Sequence, residues 1–254
     1  MSLTNKVAIV TGGSSGIGAA IAVKFVTEGA KVAIVARNEK KLAEVAKKCE
    51  INGSQPLLII ADVTKENDAQ RIIETTLKKF GKLNILVNNA GIGRSGSILD
   101  KNYLVIFDEV IATNLRSIVY LTHLAAPNII ETKGNIINIS SVASMGILGP
   151  TSSIYSTSKA GLDHFTRCVA LELAPKGVRV NNINPGPVKS DILLNAGFES
   201  AAEGIIWEEA KNMTALKRVA DADEIADLAV FVASDKGRSI TGASLVTDNG
   251  TLLQ

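Results

Sequence analysis

Aromatic residues make up only 4% of this 254-residue chain, with one tryptophan and three tyrosines. Small aliphatic side chains must therefore do the packing, and a hydrophobic content of 46% lets a chain of this length fold without staples. Cysteine is nearly absent: Cys49 and Cys168 lie far apart and lack CxxC spacing. Both are read as reduced thiols, which excludes a disulfide scaffold and argues against a cysteine metal site. Histidine is scarcer than usual too. Neither His123 nor His164 has an acid partner implied by its neighbours, so both are expected to be packing or surface residues. A net charge of +2 gives no broad basic field, which speaks against nucleic acid as a partner. No apolar run is long enough to span a bilayer, and no signal peptide is visible. A soluble cytoplasmic protein with no membrane partner is the expectation.

What the chain does have is alternation. Short apolar runs occur at 7–10, 32–36, 57–61, 85–88, 136–139, 178–183 and 243–247. Runs this apolar predict strands covered on both faces, as in a parallel sheet. Between them apolar residues recur at helical spacing: Ile17, Ile21 and Phe25, then Leu42, Val45, Ala46 and Cys49, then Ile72, Ile73, Leu77 and Phe80. The predicted fold class is α/β, a Rossmann-type doubly wound seven-stranded parallel sheet with helices on both faces. No linker, repeat or low-complexity segment breaks the pattern, so residues 1–254 read as a single domain.

The first turn, Thr11-Gly-Gly-Ser-Ser-Gly-Ile-Gly18, follows a strand and opens a helix. Glycines there let backbone approach a ligand, and a helix N-terminus offers N–H groups to phosphate. The spacing of Gly12, Gly16 and Gly18 is not GxGxxG, and Ala19-Ala20 stand where a Walker loop needs Lys-Ser/Thr. A plain strand-to-helix turn is the bland alternative; the flanking elements favour a phosphate cradle for a dinucleotide. Further on, Tyr155 and Lys159 stand four residues apart, which places a phenol and an ammonium on one helix face. Asn114 falls inside a helical stretch from about 103 to 130, where propensity disfavours it. No Gly-x-Ser-x-Gly elbow exists, so a serine hydrolase is a poor reading.

Taken in order, the glycine turn, Asp62, Asn88-Asn-Ala-Gly91, Asn114, Ser141, Tyr155 with Lys159, and Pro185-Gly186 resemble the short-chain dehydrogenase/reductase family over nearly the whole chain. Within it the chain looks like 3-oxoacyl-acyl-carrier-protein reductases and related carbonyl or hydroxysteroid reductases. The resemblance implies an oxidoreductase that interconverts a ketone and a secondary alcohol. It makes Asn114, Ser141, Tyr155 and Lys159 the catalytic residues; Ser140 competes with Ser141, which aligns with the family's serine. It makes Gly12, Ser14, Ser15, Gly16, Ile17 and Gly18 the phosphate turn. Asp62 and Val63 would meet the adenine, with helix capping by Thr64 or Asp62 as the alternative; both can hold at once. Asn89, Ala90 and Gly91 would line the ribose, while Asn88 reads at least as readily as structural. Tyr155, Lys159, Pro185, Gly186, Val188 and Ser190 would surround the nicotinamide.

The second strand ends at Ala36, where NAD-preferring relatives carry a carboxylate for the ribose 2′-hydroxyl. Arg37 follows, and a guanidinium can pair a 2′-phosphate through two hydrogen bonds. NADP(H) is therefore expected, with NAD(H) still possible, because position 15 is Ser where many NADP-preferring relatives place a second basic residue. A solvated loop charge is the alternative for Arg37. In the family the segment 191–216, which carries Trp207, is a substrate lid. Ile92, Met145, Ile147, Leu148 and Pro187 suggest a lipophilic substrate such as a 3-oxoacyl, steroid or isoprenoid carbonyl compound. Relatives are usually tetramers or dimers, so a homo-oligomer is expected; no metal is implied. For alcohol oxidation, Lys159 and the oxidised cofactor are expected to bring Tyr155 from about 10 towards 7, roughly 4 kcal/mol. Two other readings stay open: an NAD-linked secondary alcohol dehydrogenase, and a dinucleotide-binding sensor without turnover.

Overall fold

The computed structural model describes residues 1–190 and 203–254. Seven strands form one sheet: β1 Val7–Thr11, β2 Lys31–Ala36, β3 Leu57–Ile60, β4 Ile85–Asn88, β5 Asn135–Ile139, β6 Arg179–Pro185 and β7 Ser244–Thr247. All pairs are parallel in the order β3-β2-β1-β4-β5-β6-β7, so the order reverses between β1 and β4. In a doubly wound sheet the crevice at that reversal, above the carboxyl ends of the strands, is where a ligand fits. The helices that return the chain are α1 Gly16–Thr27, α2 Glu39–Ile51, α3 Glu66–Phe80, α4 Tyr103–Ile111, α5 Ser117–Glu131 and α6 Ser153–Leu173, followed by α7 Glu203–Asn212 and α8 Ala222–Ala233.

Alternation along each strand splits the core. Ala8 and Val10 join Ile21, Phe25, Leu42, Ile225 and Val232 beneath α1, α2 and α8. Ile9 points the other way and packs with Ile72, Leu121, Ile129 and Leu173 beneath α3, α5 and α6. Burying one such side chain contributes about 1.5–3 kcal/mol, which is why small aliphatics suffice without aromatics.

Three expectations need correction. Both faces of every strand were expected to be covered, yet Leu58 and Ile60 of β3 are 37% and 45% exposed. β3 is the sheet edge, with a neighbouring strand on one side only. The helical stretch from 103 to 130 is interrupted by a π turn, Ala112–Arg116, centred on Asn114. There the Ser117 N–H returns to the carbonyl of Ala112, and the Ser117 hydroxyl takes the carbonyl of Thr113 at 2.6 Å. Lastly, neither Asp62 nor Thr64 caps α3, whose N-cap is Lys65. The expected lid at 191–216 lies partly outside the described residues; its later part is α7. Among the described residues no helix is long and apolar enough to cross a membrane.

Candidate functional site

The site begins where β1 runs out. The Thr11 hydroxyl donates to the carbonyl of Val87 at 3.2 Å and accepts from the N–H groups of Asn89 and Ala90 at 3.0 and 3.1 Å. One side chain thus laces the ends of β1 and β4 together. The following turn needs glycine for two separate reasons. Gly12 holds φ +66°, which L side chains rarely adopt. A Cβ at Gly18 would lie 2.3 Å from the Gly12 carbonyl oxygen and 2.4 Å from Asn89 Nδ2. The Asn89 amide donates to the carbonyls of Thr11 and Gly12 at 2.9 and 3.3 Å, so its side chain braces the turn. No side chain caps the start of α1 and no acidic residue sits in its first turn. A close-approach cradle opening a helix N-terminus free of negative charge fits the pyrophosphate of a dinucleotide.

Ser141 follows β5 and opens the single turn Val142–Ser144. Its hydroxyl accepts from the Ala143 N–H at 3.1 Å and favours the ionised form of the Tyr155 phenol against burial. Ser140, the competing choice, turns away to the carbonyl of Lys159 at 3.4 Å. On α6, Lys159 Nζ donates to the carbonyl of Ile139 at 2.9 Å and stands 5.7 Å from the centre of the Tyr155 ring. The Asn114 side chain is fully engaged: it accepts from Ile92 N–H at 2.8 Å and donates to the Ile92 carbonyl at 2.9 Å and to Ser158 Oγ at 3.2 Å. A Cβ at Gly91 would fall 3.3 Å from Asn114 Oδ1 and 3.7 Å from Lys159 Nζ, and one at Gly12 would fall 2.9 Å from Ala90 Cα. The glycine turn, the Ala90-Gly91 segment, Asn114 and Lys159 are therefore contiguous.

Burial sets the charge states. It pushes the Tyr155 phenol up, and the Ser141 hydroxyl offsets only part of this. The protein alone thus keeps the phenol neutral rather than lowering it as alcohol oxidation would need. Burial brings the Lys159 ammonium down from 10.5 to about 8, with the Asp163 carboxylate working the other way. That fall means the charged form costs about 3 kcal/mol in the fold. Because the unfolded chain holds this proton more tightly, the Lys159 contribution to stability improves as pH rises from about 8 to 10.5. Lys159→Met is accordingly expected to lose this rise in stability between pH 8 and 10.5, about 3 kcal/mol. Thermal unfolding across that range measures it, and a rise of wild-type size in the variant would contradict it.

The other expected site residues flank this centre. Asp62 Oδ1 accepts from Thr64 N–H and hydroxyl at 3.0 and 2.7 Å, closing a turn after β3 and leaving Oδ2 outside those bonds. Burial works to raise that carboxyl, but the Thr64 hydrogen bonds and the nearby Arg37 and Lys65 charges hold it below its ordinary value. Arg37 is exposed at the end of β2, and Val63 is half-buried. Past β6, a Cβ on Gly186 would lie 2.8 Å from Asp248 Cα, and Val188 is buried where it bridges Ala220. His123 and His164 are exposed, away from this centre. Among the described residues no group of three or more His, Cys, Asp or Glu could hold a metal.

Residues 12–251 match the family described as enoyl-(acyl carrier protein) reductase. An A-factor type gamma-butyrolactone 1′-reductase from Streptomyces virginiae is 32% identical, the match covering 98% of this chain and 96% of that protein. A short-chain dehydrogenase/reductase of unknown function from Caenorhabditis elegans, solved with cofactor, is 32% identical with a TM-score of 0.93, covering 100% of this chain and 97% of that one. A short-chain dehydrogenase from Burkholderia cenocepacia in complex with NADP is 33% identical with a TM-score of 0.89, over 99% of this chain and 100% of that one.

The chain belongs to the short-chain dehydrogenase/reductase family.

As a short-chain dehydrogenase/reductase it is a member of an oxidoreductase family that binds NAD(P). The contiguous centre unites segments that follow β1, β4 and β5 with one face of α6. Sequence reasoning passed over Asp163, Ser144 and Asn184, which adjoin Ser141. A signal for Asp163 was present: it shares the buried face of α6 with Lys159, Thr166 and Ala170, at spacings where an acid is out of place.

Proposed function

We propose that this short-chain dehydrogenase/reductase is an NADP(H)-dependent enzyme interconverting a ketone and a secondary alcohol, with a lipophilic carbonyl compound of 3-oxoacyl, steroid or isoprenoid type as substrate. The observation that carries the reading is Lys159 Nζ 5.7 Å from the centre of the Tyr155 ring, with the Ser141 hydroxyl acting on the same phenol, contiguous with the glycine turn. When bound, the nicotinamide cofactor supplies hydride to the carbonyl carbon. The chain's own groups do the rest. Ser141 Oγ and Tyr155 Oη hold the carbonyl oxygen by hydrogen bonds. The Tyr155 proton then goes to that oxygen as negative charge builds on it, and solvent returns a proton to the phenolate. Burial keeps that phenol protonated beforehand, which suits the reductive direction. The Lys159 ammonium holds the cofactor's nicotinamide ribose and stabilises the phenolate, and Asn114 holds the wide turn against the 91–92 segment. Glycines at 12, 16 and 18 and the start of α1 cradle the phosphates. Arg37 pairs the 2′-phosphate, an assignment supported by the NADP complex of the Burkholderia relative. Met145, Ile147 and Leu148 are exposed in the stretch that follows Ser141, which supports an apolar substrate.

The test mixes the protein with NADPH or NADH and a panel of lipophilic ketones, following loss of reduced-cofactor absorbance. Turnover with NADPH at a kcat/KM at least about tenfold above that with NADH is expected, one to two lost hydrogen bonds' worth. A preference for NADH would overturn the cofactor assignment. Binding without turnover across the panel would leave a dinucleotide sensor.

A further inference from the structure

Strands β4, β5, β6 and β7 carry a buried polar seam where apolar side chains were expected. Asn88 donates to Asn138 at 2.8 Å, Asn138 to Thr166 at 2.7 Å, and Thr166 to Asn182 at 2.7 Å. The seam continues from Asn182 to Ser244 at 3.4 Å, and from Ser244 to Asp163 at 3.5 Å. It ends on a carboxylate that is only 4% exposed. Burying an ionised acid without partners costs several kcal/mol, so such a residue calls for a reason.

Asp163 Oδ2 accepts from the Ser144 hydroxyl at 2.6 Å and from the Asn184 amide at 2.8 Å. Ser144 Oγ also lies 2.7 Å from the Ser141 carbonyl oxygen, and Asn184 Nδ2 lies 3.1 Å from it. One hydroxyl proton and two amide protons are available. Two of them satisfy Oδ2, where the charge makes the stronger bond, and the second amide proton goes to the Ser141 carbonyl. The carboxylate thus orients the groups that hold the turn bearing Ser141. The same carboxylate lies one helical turn beyond Lys159, whose ammonium it favours against burial. The other titratable group facing Lys159 is the Tyr155 phenol on α6. From the other elements come uncharged groups: the Ile139 carbonyl of β5, Gly91, and Asn114 of the π turn. Besides Lys159 on its own helix, the groups facing Asp163, namely Ser144, Asn184 and Ser244, are uncharged.

We propose that Asp163 is a positioning residue for ketone reduction: its carboxylate braces the Ser141 turn through Ser144 and Asn184, and is the countercharge to Lys159 one turn away on the same buried face of α6. The inference rests on the ketone-reductase reading of the site.

Two variants separate the two effects. In Asp163→Asn the amide oxygen can replace Oδ2 as acceptor while the NH₂ takes the place of Oδ1, which has no hydrogen-bond partner. The brace stays and the charge goes. Ser144→Ala keeps the charge and removes part of the brace. The first readout needs no cofactor: ¹³Cε-lysine NMR titration, with the Lys159 signal assigned by its loss in Lys159→Met. Asp163→Asn is expected to lower the Lys159 titration by about one pH unit, the smaller end of an opposite-charge effect, and Ser144→Ala to leave it in place. The second readout is kcat against pH with NADPH and a ketone. Asp163→Asn is expected to shift the alkaline limb down by the same amount. Ser144→Ala is expected to lower kcat about tenfold at every pH without moving the limb, as misplacement of a positioned group does. An unmoved Lys159 titration in Asp163→Asn, or wild-type kcat in Ser144→Ala, would overturn the proposal. Should Asp163→Asn not fold, Ser144→Ala alone decides the brace. Wild-type protein that shows the expected titrations but reduces no ketone would sink the ketone-reductase reading and leave the Asp163–Lys159 pairing intact.

Discussion

Replacing Tyr155 by phenylalanine is expected to lower kcat for ketone reduction by about 10²–10⁴, the range a positioned general acid supplies. The change removes one oxygen and keeps the ring. It deletes the proposed proton donor, while the ring keeps its place beside Lys159. Cofactor binding, followed by quenching of protein or NADPH fluorescence, is expected to stay close to wild type. Thermal stability should change by no more than about 1 kcal/mol, the worth of one hydrogen bond. A Tyr155→Phe variant with unimpaired kcat and wild-type cofactor binding would take the proton transfer away from this phenol. The unmutated protein offers a second view of the same chemistry. With the phenol neutral, the first group of the centre to change charge on raising the pH is Lys159, at about 8. Reductive kcat is therefore expected to be level below that pH and to fall above it.

The second large effect is expected from Gly18→Ala, a change of one methyl group. That methyl would sit 2.3 Å from the Gly12 carbonyl oxygen and 2.4 Å from Asn89 Nδ2. Neither neighbour can yield cheaply. The first is backbone in a turn already committed to φ +66°, and the second is held by its hydrogen bonds to Thr11 and Gly12. The turn must open, at a cost of about 1–3 kcal/mol for overpacking. Because the same turn is the proposed phosphate cradle, affinity for NADPH should fall by at least about tenfold, equivalent to 1.4 kcal/mol. Fluorescence titration and thermal unfolding read the two consequences separately. Wild-type affinity in a folded Gly18→Ala protein would mean that phosphate binds elsewhere.

Several features were legible because they depend on neighbours in the chain. The seven strands follow from short apolar runs between helices of period 3.6, and each lies within two residues of its expected bounds. Asn114 betrayed itself as a polar residue inside a helical stretch, and the structure answers with a π turn at that position. Other features depend on residues distant in sequence. The exposure of Leu58 and Ile60 follows from the position of β3 at the sheet edge, which the composition of the strand does not encode. The choice of Ser141 over Ser140 rested on family resemblance; that the Ser140 hydroxyl turns to the α6 backbone at Lys159 is a contact between stretches far apart in the chain, which no run of sequence shows. The polar seam from Asn88 to Asp163 was hidden for the same reason. An asparagine in an apolar strand reads as an interruption until its partner on the next strand is known.

Read alone, the order of motifs along the chain determined the family, the parallel sheet and the list of groups able to donate a proton, cradle phosphate or carry charge. Those are properties of residue type and local spacing, which the chain states directly. Only the tertiary structure decided which groups meet and in what charge state. Parallel strands bring their carboxyl ends to one edge, so a glycine turn, a serine and a helix face from distant stretches become neighbours there. Their burial then raises a phenol and lowers an ammonium, and packs Asp163 against β6 and β7. Desolvation arises from everything packed around a group, and no window of sequence contains that.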